Sequence, residues 1–329
     1  MKNLILVICS ERKFRGGTVY TKNLFDRLKV SSLVSDFSFF ALSDSSWKKV
    51  FLLGYNLLFS RILILSFPAS LPLCFLFFWK KKFCIIHTPF SRLSFHTKLA
   101  FVVFKFFLLN SSFIFVACHL LNGYTTSLRR LGQRISTFDS FVLYPTLSSK
   151  HKVFAEKSKS FLSVNPTPII LFFTGGTSPE KNLSFVLNLL RIVVQSRSVI
   201  LHIFGTCTTD VFVPLELRQH VIFHGFTSIP WSYFSSQNAL MLMPSHYEGM
   251  PLSCLEAMAQ SIVTISSSIP AFQEISYFAP SLVIPLTLDL VLWSNIIINF
   301  DFNLSDESDP IFYSAETRRQ FESFLGALI

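Results

Sequence analysis

Two glutamates, separated by a loop and a helix start, are the residues of this chain best suited to chemistry. Glu248 and Glu256 stand eight residues apart in the segment 244–259, which reads PSHYEGMPLSCLEAMA. The apolar run before it predicts a buried parallel strand, and the spacing of apolar residues from Leu252 predicts a helix. Glu248 therefore falls on the loop and Glu256 about one turn into the helix, so both can face one cleft.

The backbone between the two acids adds a second kind of group. At a helix start the N–H groups of Gly249, Met250 and Leu252 lack intrahelical partners, which favours anionic ligands. Carboxylates suit sugar hydroxyls and amides suit a diphosphate, so the segment predicts a sugar-nucleotide site. The alternative is an ordinary strand, loop and helix with two solvated acids.

Two glycine loops repeat the arrangement of a strand, a loop and a helix start. The first strand, 4–9, is followed by the pair Gly16-Gly17, and the strand 169–173 by the loop 174–183 with Gly175 and Lys181. Open α/β sheets approach phosphates in this way. Neither loop contains G-x-G-x-x-G or a Walker sequence, which disfavours dinucleotide and ATP sites.

A histidine completes the candidate groups. His87 ends the apolar run 83–87 and precedes a loop, the place where α/β enzymes position reacting groups. The alternative is a core histidine whose nitrogens are satisfied by the protein.

The segment 244–259 resembles the E-x7-E signature of the retaining glycosyltransferases of family 4. The resemblance is strong over residues 168–276 and weaker, in the same order, over 1–147. It implies an α/β GT-B fold, in which two facing Rossmann-like domains with parallel sheets enclose an interdomain cleft. It also implies transfer of a sugar from a nucleotide-sugar donor to an acceptor hydroxyl with retention, without a bound metal or other cofactor. The sequence has no D-x-D or histidine cluster that would indicate a metal.

The resemblance also implies roles for individual residues. Glu256 would hold the ribose, and Lys181 the donor diphosphate. Three residues would be catalytic: His87 near the transferred sugar, Glu248 and Lys181. The donor-binding set would be Gly17, Gly175, Lys181, Phe226 near the base, Glu248, Gly249, Met250, Pro251, Leu252 and Glu256.

This chain departs from the family pattern at three positions. Gly176 stands where the family has an arginine for the diphosphate, and Ser261 and Val263 stand where glycine and proline are usual. Loss of one cation at a leaving diphosphate removes charge stabilisation, often the largest catalytic contribution. Another basic residue such as Arg15 substitutes, activity is weak, or the donor is held differently.

Length and composition predict two domains. We expect an acceptor-side domain at 1–150, a linker at 151–167 and a nucleotide-sugar domain at 168–329, closed by a helix in the tail. Six scattered cysteines without metal-like spacing fit a reducing cytoplasm, and the N-terminus does not resemble a secretory signal.

Charge is divided unevenly along the chain. Residues 1–164 carry 23 Lys and Arg against 6 Asp and Glu, a net +17, whereas 165–329 carry a net −7. This division argues against nucleic acid as a partner. It favours a basic domain facing an anionic membrane surface and a saccharide or lipid-linked acceptor, with the protein peripheral on the inner face of the cell membrane. A domain that is basic by drift is the alternative.

The uncharged stretch 62–79, followed by three lysines at 80–82, is compatible with a membrane anchor. Its eighteen residues reach the lower limit for a span, but Pro68 and Pro72 interrupt a regular helix. An in-plane hydrophobic segment is favoured.

Two alternatives to an active transferase remain, a degenerate relative that binds nucleotide or a partner without turnover and an integral membrane protein. A phosphorylase of the same fold is disfavoured because no cofactor-binding lysine is recognisable.

Overall fold

The computed structural model describes about half of residues 1–164 and most of residues 165–329. The described residues are 4–9, 16–30, 36–41, 57, 60–67, 79–95, 98, 111–130, 140–145, 168–206, 213–227, 238–302, 319–325 and 327. The chain divides into two compact units: residues 1–146 with 314–329, and residues 147–313. The predicted linker 151–167 lies outside the described residues, as does Arg15.

The first unit is built on a parallel six-stranded sheet in the order β2-β1-β3-β4-β5-β6. Its strands are β1 Leu4–Cys9, β2 Asp36–Ala41, β3 Ile62–Phe67, β4 Lys81–Ile86, β5 Ser111–Phe115 and β6 Ser140–Val142. Helices α1 Gly16–Val30 and α2 Cys118–Arg130 belong to the same unit. The apolar side chains at 62–65 in β3, 83–86 in β4 and 113–115 in β5 are buried, as expected when helices cover both faces of a parallel sheet.

The second unit has its own parallel six-stranded sheet, in the order β12-β11-β10-β7-β8-β9. Its strands are β7 Ile169–Thr174, β8 Val199–Phe204, β9 Val221–Gly225, β10 Ala239–Met243, β11 Val263–Ser267 and β12 Val283–Leu286. Its described helices are α3 Leu183–Val193, α4 Leu252–Met258, α5 Pro270–Phe278 and α6 Leu290–Ile298. Counted from β7, this is the strand order of the Rossmann fold. Two parallel sheets confirm the predicted α/β class.

The stretch 62–79 begins as a central strand of the first sheet. β3 pairs in parallel with β1 and β4, and Leu63, Ile64 and Leu65 are fully buried. A strand of six residues satisfies its backbone through neighbouring strands, so its apolar character serves the core of the sheet. Residues 68–78 lie outside the described part. Within the described residues, no helix is both long and apolar enough to cross a membrane.

The three lysines after this stretch contact backbone carbonyls of the first unit. Lys80 Nζ donates to the carbonyls of Leu57 and Ser60, at 2.6 and 2.7 Å. Lys82 is fully buried and donates to the carbonyl of Lys80 at 2.8 Å. Lys81 donates to the carbonyl of Ala327 in the tail at 2.7 Å. These ammonium groups stabilise the amino-terminal edge of the sheet, where β4 begins.

The tail belongs to the first unit, which differs from the predicted second domain at 168–329. Residues 319–325 are helical, and the Phe324 ring is completely buried. It packs edge-on against Phe83 and Phe141, at centroid distances of 5.3 and 5.8 Å. The Arg27 guanidinium stacks over the Phe321 ring at 3.7 Å. Aromatic burial on the first sheet therefore decides the assignment of the tail.

Candidate functional site

The candidate site of the second unit lies where the order of strands along the sheet reverses, between β7 and β10. β7 and β10 are neighbours in the sheet, although two strands separate them in sequence. Connections leave these two strands toward opposite edges of the sheet, and beyond the carboxyl ends of such strands α/β proteins usually bind their ligands. The loops of both sequence-predicted segments, observed at 175–182 after β7 and at 244–251 after β10, begin at this point.

The loop after β7 is a tight glycine turn that leads into a short 3-10 helix. Gly175 and Gly176 have φ of +118° and +60°, in the region that favours glycine. Their N–H groups both donate to the Phe204 carbonyl at 3.0 Å, which fastens the turn to the end of β8. The 3-10 helix Pro179–Lys181 follows, and Asn182 at φ 60° redirects the chain into α3. Lys181 is thereby turned back over the glycines.

The loop after β10 is fastened to this turn and to β11. The His246 N–H donates to the Glu180 carbonyl at 2.9 Å. Ser267 Oγ, at the end of β11, donates to the Ser245 carbonyl at 2.5 Å. The turn after β7 and the end of β11, on either side of β10, therefore hold the loop that carries Glu248.

Lys181 and Glu248 form the central contact of the site. Lys181 Nζ lies 2.5 Å from Glu248 Oε1, and the two side chains are 21% and 11% exposed. Ser245 Oγ donates to the same carboxylate oxygen at 2.8 Å. Because the pair is largely shielded from water, its electrostatic attraction is stronger than that of a surface ion pair. The structure thus joins two of the residues predicted to be catalytic.

The remaining donor-binding residues of this segment follow Glu248 into helix α4. Gly249, Met250 and Leu252 are half-buried, and Pro251 is buried at the helix start. Among the described residues, the N–H groups of Gly249, Met250 and Leu252 have no hydrogen-bond acceptor. As predicted, Glu256 lies one turn into α4, and its side chain is half-buried.

Cys254, between these groups, is not a nucleophile. Its thiol is fully buried, and burial, reinforced by the Glu248 charge, raises the pKa of Cys254 to about 12. The thiol therefore stays protonated near neutral pH, and its role is packing in the core.

The arginine-position residue, Gly176, has a backbone conformation that excludes a side chain. Gly176 is buried at φ +60°, and a Cβ there would collide with the carbonyl oxygen of Thr206. Gly205, opposite, is equally close: a Cβ on it would lie 2.5 Å from the Gly176 nitrogen. Gly176 and Gly205 pack so closely that the backbone of the turn leaves no room for a side chain at position 176. The absence of an arginine there therefore follows from the conformation of the whole turn.

Phe226 lies farther along the same edge of the sheet, directly after β9, with 53% of its surface exposed. Beside it the structure reveals a pair that sequence reasoning missed. His202 Nδ1 and His224 Nε2 are 2.8 Å apart, and the His224 ring stacks on Phe204 at 4.4 Å. Burial, with the His224 charge second, lowers the pKa of His202 to about 4. The signal for this pair was a histidine in each of two consecutive apolar strands.

The predicted residues of the first unit lie in its first helix and after β4. Gly17 is in the first turn of α1. His87 directly follows β4, and the Tyr20 ring meets it edge-on at 5.3 Å. His87 Nε2 is buried with no hydrogen-bond partner among the described residues, and burial lowers the pKa of His87 to about 4. The imidazole is therefore neutral at physiological pH.

The described residues contain no group of three or more His, Cys, Asp or Glu side chains that could hold a metal ion.

Comparison with known proteins connects this site to a family. Residues 154–276, which include both loops, match the family model described as Glycosyl transferases group 1. A curated relative from Klebsiella pneumoniae, "Uncharacterized 41.2 kDa protein in cps region", is 24% identical over 282 residues, covering 82% of this chain and 75% of its own.

Solved structures of other proteins are similar over 80–99% of this chain. HepE of Anabaena, in complex with UDP and glucose, superposes with a TM-score of 0.68 at 12% identity, and each chain is 99% covered. The lipopolysaccharide outer core galactosyltransferase WaaB gives 0.64 at 16% identity, again with 99% coverage of both chains. TarM gives 0.57 at 16% identity over 80% of this chain, which spans about half of TarM, 54%. The GT-B fold is confirmed.

Proposed function

We propose that the chain is a retaining glycosyltransferase of family 4 that transfers a sugar, of the hexosyl type, from a nucleotide-sugar to an acceptor hydroxyl. The Lys181–Glu248 contact carries this proposal. It lies at the switch point of a Rossmann-type sheet, where α/β proteins bind nucleotides, and inside the segment that matches the glycosyltransferase model.

The two loops bind different parts of the donor. Glu256 binds the ribose hydroxyls, and Glu248 binds hydroxyls of the transferred sugar, assisted by the segment 249–252. Lys181 contacts the diphosphate, with Gly175 leaving room for it. Gly17 borders the donor phosphates or the acceptor, and Phe226 lies near the base. These assignments follow the family resemblance residue by residue, from the E-x7-E segment for residues 248–256 and from the matching loops for the others.

The chemistry that these groups supply is stabilisation of charge. As the bond from the anomeric carbon to the diphosphate breaks, negative charge grows on the leaving oxygens, and the Lys181 ammonium stabilises it. His87 is neutral, so it stabilises the transferred sugar as a hydrogen-bond partner and not as a cation. The reaction uses no bound metal, and activity is expected to survive EDTA.

The acceptor belongs to bacterial surface polysaccharide or glycolipid synthesis. Two comparisons support this class: the relative from a cps region and the similarity to a lipopolysaccharide galactosyltransferase. The net +17 of residues 1–164 favours a lipid-linked or otherwise anionic acceptor at the inner face of the cell membrane. Flotation with vesicles of phosphatidylcholine alone, or with added phosphatidylglycerol, tests the membrane part separately.

A thermal-shift screen against UDP-, GDP-, ADP- and CMP-sugars tests the donor site. UDP-sugars come first, because HepE was crystallised with UDP and glucose. A ligand at a hundred times its dissociation constant stabilises by about 2.7 kcal/mol, a readily measured shift. Glu256→Ala is expected to lose that shift. Glu216→Ala is the matched control, since Glu216 is an exposed acid before β9, at the opposite edge of the sheet.

Turnover separates the proposed enzyme from a degenerate relative. Gly176, in place of the family arginine, favours the second candidate, a protein that binds nucleotide without transferring sugar. Release of nucleoside diphosphate, with a product of the same anomeric configuration as the donor by NMR, supports the enzyme. Donor binding without turnover against lipid-linked and saccharide acceptors supports the degenerate relative, and binding of no nucleotide contradicts both.

A further inference from the structure

Glu248 presents its two carboxylate oxygens unequally. Oε1 accepts from both Lys181 Nζ, at 2.5 Å, and Ser245 Oγ, at 2.8 Å. Across the part of the chain that the structure describes, Oε2 accepts no hydrogen bond. One oxygen is therefore held by the protein, and the other is left for a ligand.

The two donors to Oε1 respond differently to a diphosphate. Lys181 is cationic, so an incoming diphosphate attracts its ammonium group and weakens its bond to Glu248. The Ser245 hydroxyl is neutral and 1% exposed, so it stays on the carboxylate whatever Lys181 does. Ser245 is thus the partner that persists when the donor is bound.

Ser245 is itself held in place from the next strand. Its carbonyl accepts a 2.5 Å hydrogen bond from Ser267 Oγ, and Ser267 is 2% exposed at the end of β11. Buried hydrogen bonds to fixed backbone leave little freedom for the loop to move. The order of contacts is Ser267 to Ser245 to Glu248.

We propose that Ser245 is a positioning residue, braced by Ser267, that fixes the Glu248 carboxylate with Oε2 directed to the donor sugar. This inference rests on the proposed function and adds to it the reason for a buried serine three residues before the glutamate. Ser245 acts through Glu248 and does not touch the substrate itself. Its loss therefore weakens recognition of the sugar and spares recognition of the nucleotide.

The test compares binding of a nucleotide-sugar with binding of the corresponding nucleoside diphosphate by isothermal titration calorimetry. Ser245→Ala is expected to weaken nucleotide-sugar binding about 10-fold, the usual effect of losing one hydrogen bond to a charged group. Nucleoside diphosphate affinity should stay within about 2-fold, a scatter smaller than one such bond. Ser266→Ala is the matched control, because Ser266 is equally buried on β11 and its hydroxyl has no partner among the described residues.

A double-mutant cycle distinguishes positioning from a general packing role. In a Glu248→Ala background, Ser245→Ala should cause no further loss of nucleotide-sugar affinity, because its only route to the sugar has been removed. Ser267→Ala, a second variant in case Ser245→Ala does not fold, should shift sugar affinity in the same direction by a smaller factor.

The outcomes separate the two proposals. A wild-type protein that binds no nucleotide overturns the proposed function, and this inference with it. A wild-type protein that binds nucleotide-sugar equally well after Ser245→Ala and Ser267→Ala overturns the inference alone. Equal losses of nucleotide-sugar and nucleoside diphosphate affinity also overturn it, because they indicate a structural role.

Discussion

The side chain of Lys181 lies directly over Gly175. A Cβ built on Gly175 would stand 2.6 Å from Lys181 Cγ and 3.1 Å from Cδ. The lysine reaches Glu248 only because the residue six positions earlier has no side chain. Gly175, which looks like an ordinary turn residue in the sequence, thus provides the space that the Lys181 side chain occupies in its ion pair with Glu248.

Gly175→Ala is expected to displace Lys181 from Glu248. The new methyl group occupies the path of the lysine, and φ of +118° strains any other residue by about 1–3 kcal/mol. We expect a lower melting temperature together with weaker nucleotide-sugar binding, measured by thermal unfolding and calorimetry. Gly123→Ala is the control: Gly123 is exposed in α2 with no atom near a new Cβ, and alanine should stabilise by about 0.5–1 kcal/mol. Unchanged donor binding in Gly175→Ala would show that Lys181 is not held in this way.

Restoring the family arginine with Gly176→Arg should not improve activity. The residue is buried at φ +60°, and a Cβ would meet the Thr206 carbonyl oxygen, which is backbone and cannot move aside cheaply. The variant should be destabilised by more than about 1 kcal/mol. Its melting temperature and its rate of nucleoside diphosphate release are the measurements. A faster rate in a stably folded Gly176→Arg protein would contradict the account of this turn.

Ser261→Gly should stabilise the protein. Ser261, where the family usually has glycine, adopts φ +57° after helix α4. Removing its Cβ relieves a left-handed conformation worth about 1–2 kcal/mol, partly offset by the greater freedom of glycine in the unfolded chain. A net gain of roughly 0.5–1 kcal/mol in denaturant unfolding is expected. Ser198→Gly, at an exposed position without positive φ, should be neutral or destabilising.

Acid should destabilise the protein between about pH 6.5 and pH 4, through His87 and His202. The pKa of His87 and that of His202 are each lowered from 6.5 to about 4, mainly by burial. In this window the unfolded chain binds protons that the folded one does not, so stability present above pH 6.5 is lost as pH falls. Melting temperature against pH should fall less steeply for His87→Gln than for wild type. An unchanged slope in His87→Gln would mean that His87 does not contribute to this pH dependence.

Phe324→Ala should unfold the first unit more readily. The ring is completely buried against Phe83 and Phe141, and truncating such a residue costs about 3–5 kcal/mol. Phe95→Ala, which truncates a ring that is 73% exposed, should change stability by less than about 0.5 kcal/mol. Equal melting temperatures for the two variants would mean that the tail contributes nothing to the core of this unit.

Most of the fold, and the positions of the main site residues along the chain, could be predicted from local patterns. Apolar runs of strand length marked β1, β7, β8 and β10 because buried parallel strands need apolar residues on both faces. The E-x7-E spacing placed Glu248 on a loop and Glu256 in a helix, and both positions hold in the structure. These properties are local, since strand and helix periodicity depend only on near neighbours in sequence.

Other features were decided by contacts between residues distant in sequence. For the stretch 62–79 the sequence favoured an in-plane hydrophobic segment and did not exclude a membrane span; the pairing of β3 with β1 and β4 placed its first third in a sheet. The tail joined the first unit because Phe324 found partners at positions 83 and 141.

The site itself shows the same division between local and distant information. Residue types alone identified Lys181 and Glu248 as candidates, 67 positions apart. Only the adjacency of β7 and β10 could bring them together as an ion pair. Likewise, only the fold could show that Ser245 donates to Glu248 and that the backbone excludes a side chain at Gly176. Sequence determines which elements form and which groups are available; the tertiary structure decides which groups meet, because hydrogen bonds and steric exclusion act over a few ångströms of space whatever the separation along the chain.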